Sequence, residues 1–286
     1  MNLWSNETEI QFFREALRNF ASPEQLFYKL QSGYFAYIPK GIDAEGQTLQ
    51  SRNSLIGQFT EKWSKSFFEP IAKELGLFAV NSVVCDELGL SRQTSADLAF
   101  CTTNDINQKA ENIKLLFEIK MSVVSNYKFE QPDTIQLVGD YKAHKGQPSL
   151  MRSDSMLKAI GKSINIRVSG ISSTKIPIVV LGNSPITDSY LKKVDFLKTS
   201  GVIQGFLSLN PKPTETAFSN SSPKSSMKWG TRFGSKSDQS PSDSTRFIKR
   251  SGTQAAVFIS CVRRRSSPVF LRSSRKSITS LCQISR

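Results

Sequence analysis

The apolar run Leu115-Leu116-Phe117 leads directly into Glu118-Ile119-Lys120, and Asp97 lies twenty-one residues before Glu118 in Ala96-Asp97-Leu98-Ala99-Phe100. In a strand, residues two apart point to the same face. Glu118 and Lys120 therefore project together, while Phe117 and Ile119 face the opposite way into packing. If the two strands pair as neighbours, Asp97 reaches Glu118. Two carboxylates so placed suit a hard divalent cation such as Mg²⁺, with water completing the shell. A bound cation polarises a phosphate and lowers the pKa of its water. The adjacent lysine can position that water, help deprotonate it or offset phosphate charge. This is a set of parts for phosphodiester hydrolysis. The plainer alternative is a solvated strand face with a cross-strand pair. The flanking apolar residues favour a buried strand, where unpaired charge is expensive.

Asp97 followed by Glu118-Ile119-Lys120 resembles the signature of the PD-(D/E)XK nuclease superfamily, which includes most type II restriction endonucleases. The resemblance spans residues 54 to 209 and departs at Ala96, where the motif has a chemically silent proline. It extends to Gly57-Gln58-Phe59-Thr60-Glu61 before Leu75-Gly76-Leu77, which is similar to the family's first core helix with its acidic residue. By that resemblance Glu61 is a third acid near the metal, with Glu69 as the alternative. It implies a restriction-endonuclease-like core holding Mg²⁺ on Asp97 and Glu118, with Lys120 handling the water or the charge. It further implies site-specific cleavage of double-stranded DNA as a type II restriction enzyme, leaving 5′-phosphate and 3′-hydroxyl ends. Cutting both strands suggests two active sites, hence a homodimer. A repair or junction-resolving nuclease of the same fold and a non-enzymatic basic nucleic-acid-binding protein are the competing readings.

The elements that must position these residues follow from pattern. Residues 1–53 read as a helical N-terminal extension: Ile10, Phe13, Leu17 and Phe20 keep near-helical spacing, and Ser22-Pro23-Glu24-Gln25 forms a capping-box start. Gly41 to Arg52 reads as a loop. From about Ser54 to Leu75, Leu55, Phe59, Trp63, Phe67, Ile71 and Leu75 recur every four residues and predict a long helix. Pro70 should kink or break it, and Gly76 should stop it. Strands are expected over 78–85, 96–101 and 114–124, a helix over 153–166, a buried strand over 175–181, a helix over 187–199 and a strand over 202–209. This order predicts an α/β core at 54–218 with a mixed central sheet flanked by helices.

Composition removes several alternatives. A single histidine, His144, excludes a His-rich zinc site, and a loop or surface position is expected for it. Ala159-Ile160-Gly161-Lys162-Ser163 fails as a phosphate-binding loop because position 156 is Met156. His144-Lys145 fails as an HxK motif because position 146 is Gly146. Lys158 and Lys162 could touch phosphates, but a wet helix face is the preferred reading. Cys85, Cys101, Cys261 and Cys282 are too scattered for a disulfide scaffold. A reducing, cytoplasmic compartment is expected, with no signal peptide and no membrane span. Tyr127 to Arg152 is a candidate recognition loop because Asn126, Lys128, Gln131, Gln136, Lys142 and Gln147 are suitable donors.

The net charge of +14 is unevenly placed. Fourteen of the 38 basic residues but only two of the 24 acidic ones fall in 219–286, so this segment carries +12 and the body +2. With 19 serines and few apolar residues, the segment reads as a disordered basic tail. It could bind nucleic acid without sequence preference, or its Ser/Arg bias could reflect out-of-frame or read-through coding.

Overall fold

The two strands that carry the candidate chemistry are neighbours at the centre of a five-stranded sheet. The computed structural model describes residues 4–44, 48–170, 173 and 176–210, all within one compact unit, Met1–Thr231. The elements in order are α1 (Asn6–Asn19), α2 (Pro23–Leu26), β1 (Tyr28–Leu30), β2 (Gly33–Phe35), α3 (Gln50–Glu74), β3 (Phe78–Val83), β4 (Ala96–Cys101), β5 (Ile113–Lys120), β6 (Asn126–Glu130), β7 (Thr134–Gly139), α4 (Ser153–Val168), β8 (Ile178–Gly182), α5 (Asp188–Thr199) and β9 (Gly205–Ser208). The larger sheet runs β3-β4-β5-β8-β9 and the smaller β1-β2-β6-β7. The protein is therefore a mixed α/β structure with two sheets and flanking helices. The segment 219–286, read above as a tail, lies outside the described residues.

In the larger sheet β3, β4 and β5 are antiparallel, whereas β5, β8 and β9 are parallel. Parallel neighbours need a crossover, and helices α4 and α5 supply it. The two faces are told apart by alternation along β5. Phe117 stacks on Phe68 of α3 at 4.8 Å. Leu116, on the opposite face, shares a core with Ile166 of α4 and Ile178 of β8. Helix α3 thus covers one face and α4 the other, where α5 joins it through Tyr190 and Val194.

Helix α3 differs from its sequence reading in three ways. It starts at Gln50 and continues through Pro70. The proline is exposed and sits in the penultimate turn, so few hydrogen bonds depend on it. The fully buried line is Ile56, Thr60, Ser64, Phe68 and Ala72, one residue round from the expected stripe. Thr60 and Ser64 are small, and Ser64 lies under the site strand with its Oγ 3.7 Å from Met121 Sδ. Of the expected stripe Ile71 is buried and the rest half-buried, because it serves another partner: Phe59 and Trp63 pack against Trp4 and Phe12 of the N-terminal segment. Gly76 does end the helix, at φ +69°.

The N-terminal extension is only partly helical. Ser22 N donates to Gln25 Oε1 at 2.9 Å, as the capping box requires, but α2 is a single turn. The chain then forms the β1–β2 hairpin, which pairs through β2 with β6. Three-residue strands leave too little alternation to be read. Phe27 ties the parts together, stacking on Phe13 of α1 and Phe129 of β6.

The proposed recognition loop at 127–152 is also corrected. Its first half is the β6–β7 hairpin, and Tyr127 is fully buried. Among the described cysteines, Cys85 and Cys101 are free and buried. No helix among the described residues is long and apolar enough to cross a membrane.

Candidate active site

Antiparallel pairing of β4 and β5 sets Leu98 against Phe117, and the same register continued by one residue puts Asp97 opposite Glu118. Asp97 Oδ2 accepts a hydrogen bond from the Ile119 amide at 2.7 Å, which fixes that carboxylate across the strand pair. Glu118 is buried on β5, and Lys120 follows on the same face at the strand end. Lys120 Nζ lies 2.5 Å from Glu118 Oε1, 3.5 Å from Asp97 Oδ2 and 3.1 Å from the Ile119 carbonyl. The expectation that Asp97, Glu118 and Lys120 come together is met.

A fourth residue completes the cluster. Lys162, on α4, places Nζ 2.8 Å from Asp97 Oδ1 and 2.6 Å from Glu118 Oε2. The reading of Lys162 as a wet helix face is therefore wrong. Only its spacing from the buried residues Ala159, Ser163 and Ile166 could have indicated a boundary position. Lys158, four residues earlier, is solvent-facing and pairs with Asp154 at 3.2 Å. The ring Asp97–Lys120–Glu118–Lys162 alternates in sign, with side-chain exposures between 7% and 20%. Burial this deep makes each ion depend on its partners, and removing one member of such a pair costs about 3–5 kcal/mol.

Glu61 lies within the field of this ring. Burial first, and then the charge of Asp97, pushes its carboxyl up to about 7, against the pull of Lys162 and Lys120. The alternative, Glu69, is exposed on the same helix. Glu118 is likewise raised by burial and by Asp97, with Lys120 and Lys162 opposing. Burial pulls Lys162 down, but Asp97 and Glu118 outweigh it and hold the ammonium above its usual range.

The donors suit a hard cation in kind. Asp97 and Glu118 each present one oxygen to Lys120 and the other to Lys162, and carboxylate oxygens are what Mg²⁺ takes from proteins. Among the described residues no three His, Cys, Asp or Glu side chains group closely enough to hold an ion by themselves. The protein would thus supply Asp97 and Glu118, and water the remainder.

The strand end that carries Lys120 is tied down by polar residues without a sequence signature. Asn183, just past β8, accepts from Ser122 N at 3.1 Å and donates to Ser122 O at 2.7 Å. Ser149 Oγ donates to Lys120 O at 2.5 Å and accepts from Asn183 N at 3.0 Å. Ser149 itself takes φ +48°, an uncommon conformation for a residue with a Cβ.

His144, expected at a loop or surface position, and Asn126, a candidate donor to DNA, are both structural. His144 is buried, stacked on Tyr37 at 4.0 Å and hydrogen-bonded to Val124 O at 3.0 Å. Asn126 is buried and satisfied by the Tyr37 backbone. Gln131, Gln136, Lys142 and Gln147 are exposed, and Lys128 pairs with Glu130 at 2.8 Å. Compared with family models, with curated proteins and with solved structures, the chain matches none.

Proposed function

We propose that the protein is a Mg²⁺-dependent endonuclease that cuts double-stranded DNA at specific sites, with a restriction-endonuclease-like core of PD-(D/E)XK type. The observation that carries this reading is the meeting of Asp97, Glu118 and Lys120 at the paired strands β4 and β5. When bound there, Mg²⁺ would polarise the scissile phosphate and lower the pKa of an attacking water.

The chain's own residues do the rest. The Ile119 amide aims the Asp97 carboxylate, and burial keeps Glu118 from being screened by solvent. Lys120, as an ammonium, positions the attacking water or donates to a phosphate oxygen and offsets the negative charge on the phosphoryl oxygens. Water enters opposite the leaving group, its oxygen bonds to phosphorus as the P–O3′ bond breaks, and the proton it loses passes through solvent to O3′, so the products are a 5′-phosphate and a 3′-hydroxyl. Glu61, with its carboxyl near 7, can exchange a proton at neutral pH beside this site. Cleavage of both strands calls for a homodimer.

The test is digestion of intact phage DNA with Mg²⁺ and with EDTA. Discrete Mg²⁺-dependent bands are expected, with ends that a ligase rejoins. A Mg²⁺-dependent smear would remove the site-specific part of the reading. Preference for branched or damaged DNA would transfer it to a repair or junction-resolving enzyme.

A further inference from the structure

The two carboxylates are shared between two lysines, and the lysines are tethered differently. Lys120 takes one oxygen of each acid and Lys162 takes the other. Lys120 rides on β5 two residues from Glu118 and also donates to the Ile119 carbonyl, so it stays with that strand. Lys162 reaches the ring from α4, a separate element. Its neighbours Ala159 and Ser163 are buried, whereas Lys158 and Gly161 are exposed. It therefore stands at the edge of the helix's packed face, where a four-carbon stem can point inward or outward with little change in packing.

A divalent cation on Asp97 and Glu118 would need an oxygen of each acid and would repel both ammonium groups. Two carboxylates cannot balance a doubly charged ion and two lysines in a site this poorly solvated. One ammonium has to give way, and the tethers select Lys162. We infer that Lys162 is a resident counter-ion for the Asp97–Glu118 pair, displaced when a divalent cation binds, and that its released ammonium then contacts a phosphate of the nucleic acid. The phosphate contact rests on the nuclease reading, whereas the displacement can be measured without DNA.

The experiment is calorimetric titration of Mg²⁺ into the full chain at mildly alkaline pH, using wild type, Lys162→Met and Asp97→Asn. Lys162→Met keeps the stem and removes the charge. It should bind Mg²⁺ about tenfold more tightly or better, as expected when a competing like charge worth about 1.4 kcal/mol is removed. Asp97→Asn should lose binding. Cutting by Lys162→Met should be slower despite the tighter cation. If this variant is unfolded in EDTA, recovery of its circular dichroism signal on adding Mg²⁺ supports the inference, and failure to recover overturns it. Equal or weaker Mg²⁺ affinity in a folded Lys162→Met overturns the counter-ion role and leaves the nuclease reading standing. No Mg²⁺ binding by wild type or either variant overturns the cation reading itself.

Discussion

Glu118 and Lys120 were legible because alternation in a strand needs only the sequence, and Asp97 because a nearby apolar run gave it a strand to pair with. Lys162 was not, since a lysine on a helix looks the same whether its tip meets water or a carboxylate forty-four residues away in sequence. Replacing Lys120 with Ala should slow cutting by about 10²–10⁴-fold, the range for a positioned proton-transfer or charge-offsetting group. Binding of intact DNA, measured in Ca²⁺ by gel shift, should change far less. A second buried acid gives a pH signature. Glu9 accepts from Trp4, Val124, Ser125 and Tyr127, yet burial raises its carboxyl from 4.5 to about 7. The folded chain therefore holds this proton where the unfolded chain has lost it. Its contribution to stability is complete below pH 4.5 and is lost as pH rises through about 7. Urea midpoints should fall across that window, with Glu61 adding a slope of the same sign. In Glu9→Gln the fall should be shallower.

Helix α3 shows what periodicity reveals and what it hides. A stripe every four residues located the helix, but two apolar lines lie side by side on it, and only the three-dimensional partners tell them apart. The line of large rings meets Trp4 and Phe12 of the N-terminal segment, while Thr60 and Ser64 are buried and Ser64 reaches Met121 at the end of β5. Their small size is what lets the helix sit close to β5. Ser64→Leu should therefore destabilise by about 1–3 kcal/mol through overpacking, read as a lower urea midpoint. The clasp between β5 and β8 was invisible because Ser122, Ser149 and Asn183 meet only through the fold. Asn183→Ala leaves the Ser122 amide and carbonyl without these partners and should cost about 1–3 kcal/mol. The same variant should cut more slowly than its stability loss explains, because Lys120 loses its anchored strand end. The short strands β1 and β2 failed to register for the opposite reason, having too few residues to show a period.

For the whole molecule, α3, the strands of the larger sheet, α4 and α5 were readable in order because each carries its own period or apolar run and a stop signal. The second sheet was not, since it joins the N-terminal hairpin to β6 and β7 across about ninety residues of chain. The charge divides along the chain, with +12 of the +14 in 219–286. Ending the chain after Phe218 should leave Mg²⁺-dependent cutting intact if α3 to β9 holds the chemistry, and should flatten the salt dependence of DNA binding if the basic segment adds phosphate contacts. The central claim concerns the acid pair on β4 and β5, and the most direct measurement compares phage DNA digested by wild type and by folded Asp97→Asn in Mg²⁺. Discrete bands from wild type and none from the variant are the predicted result. Undiminished cutting by Asp97→Asn, or intact DNA from well-folded wild type at millimolar Mg²⁺, would contradict it.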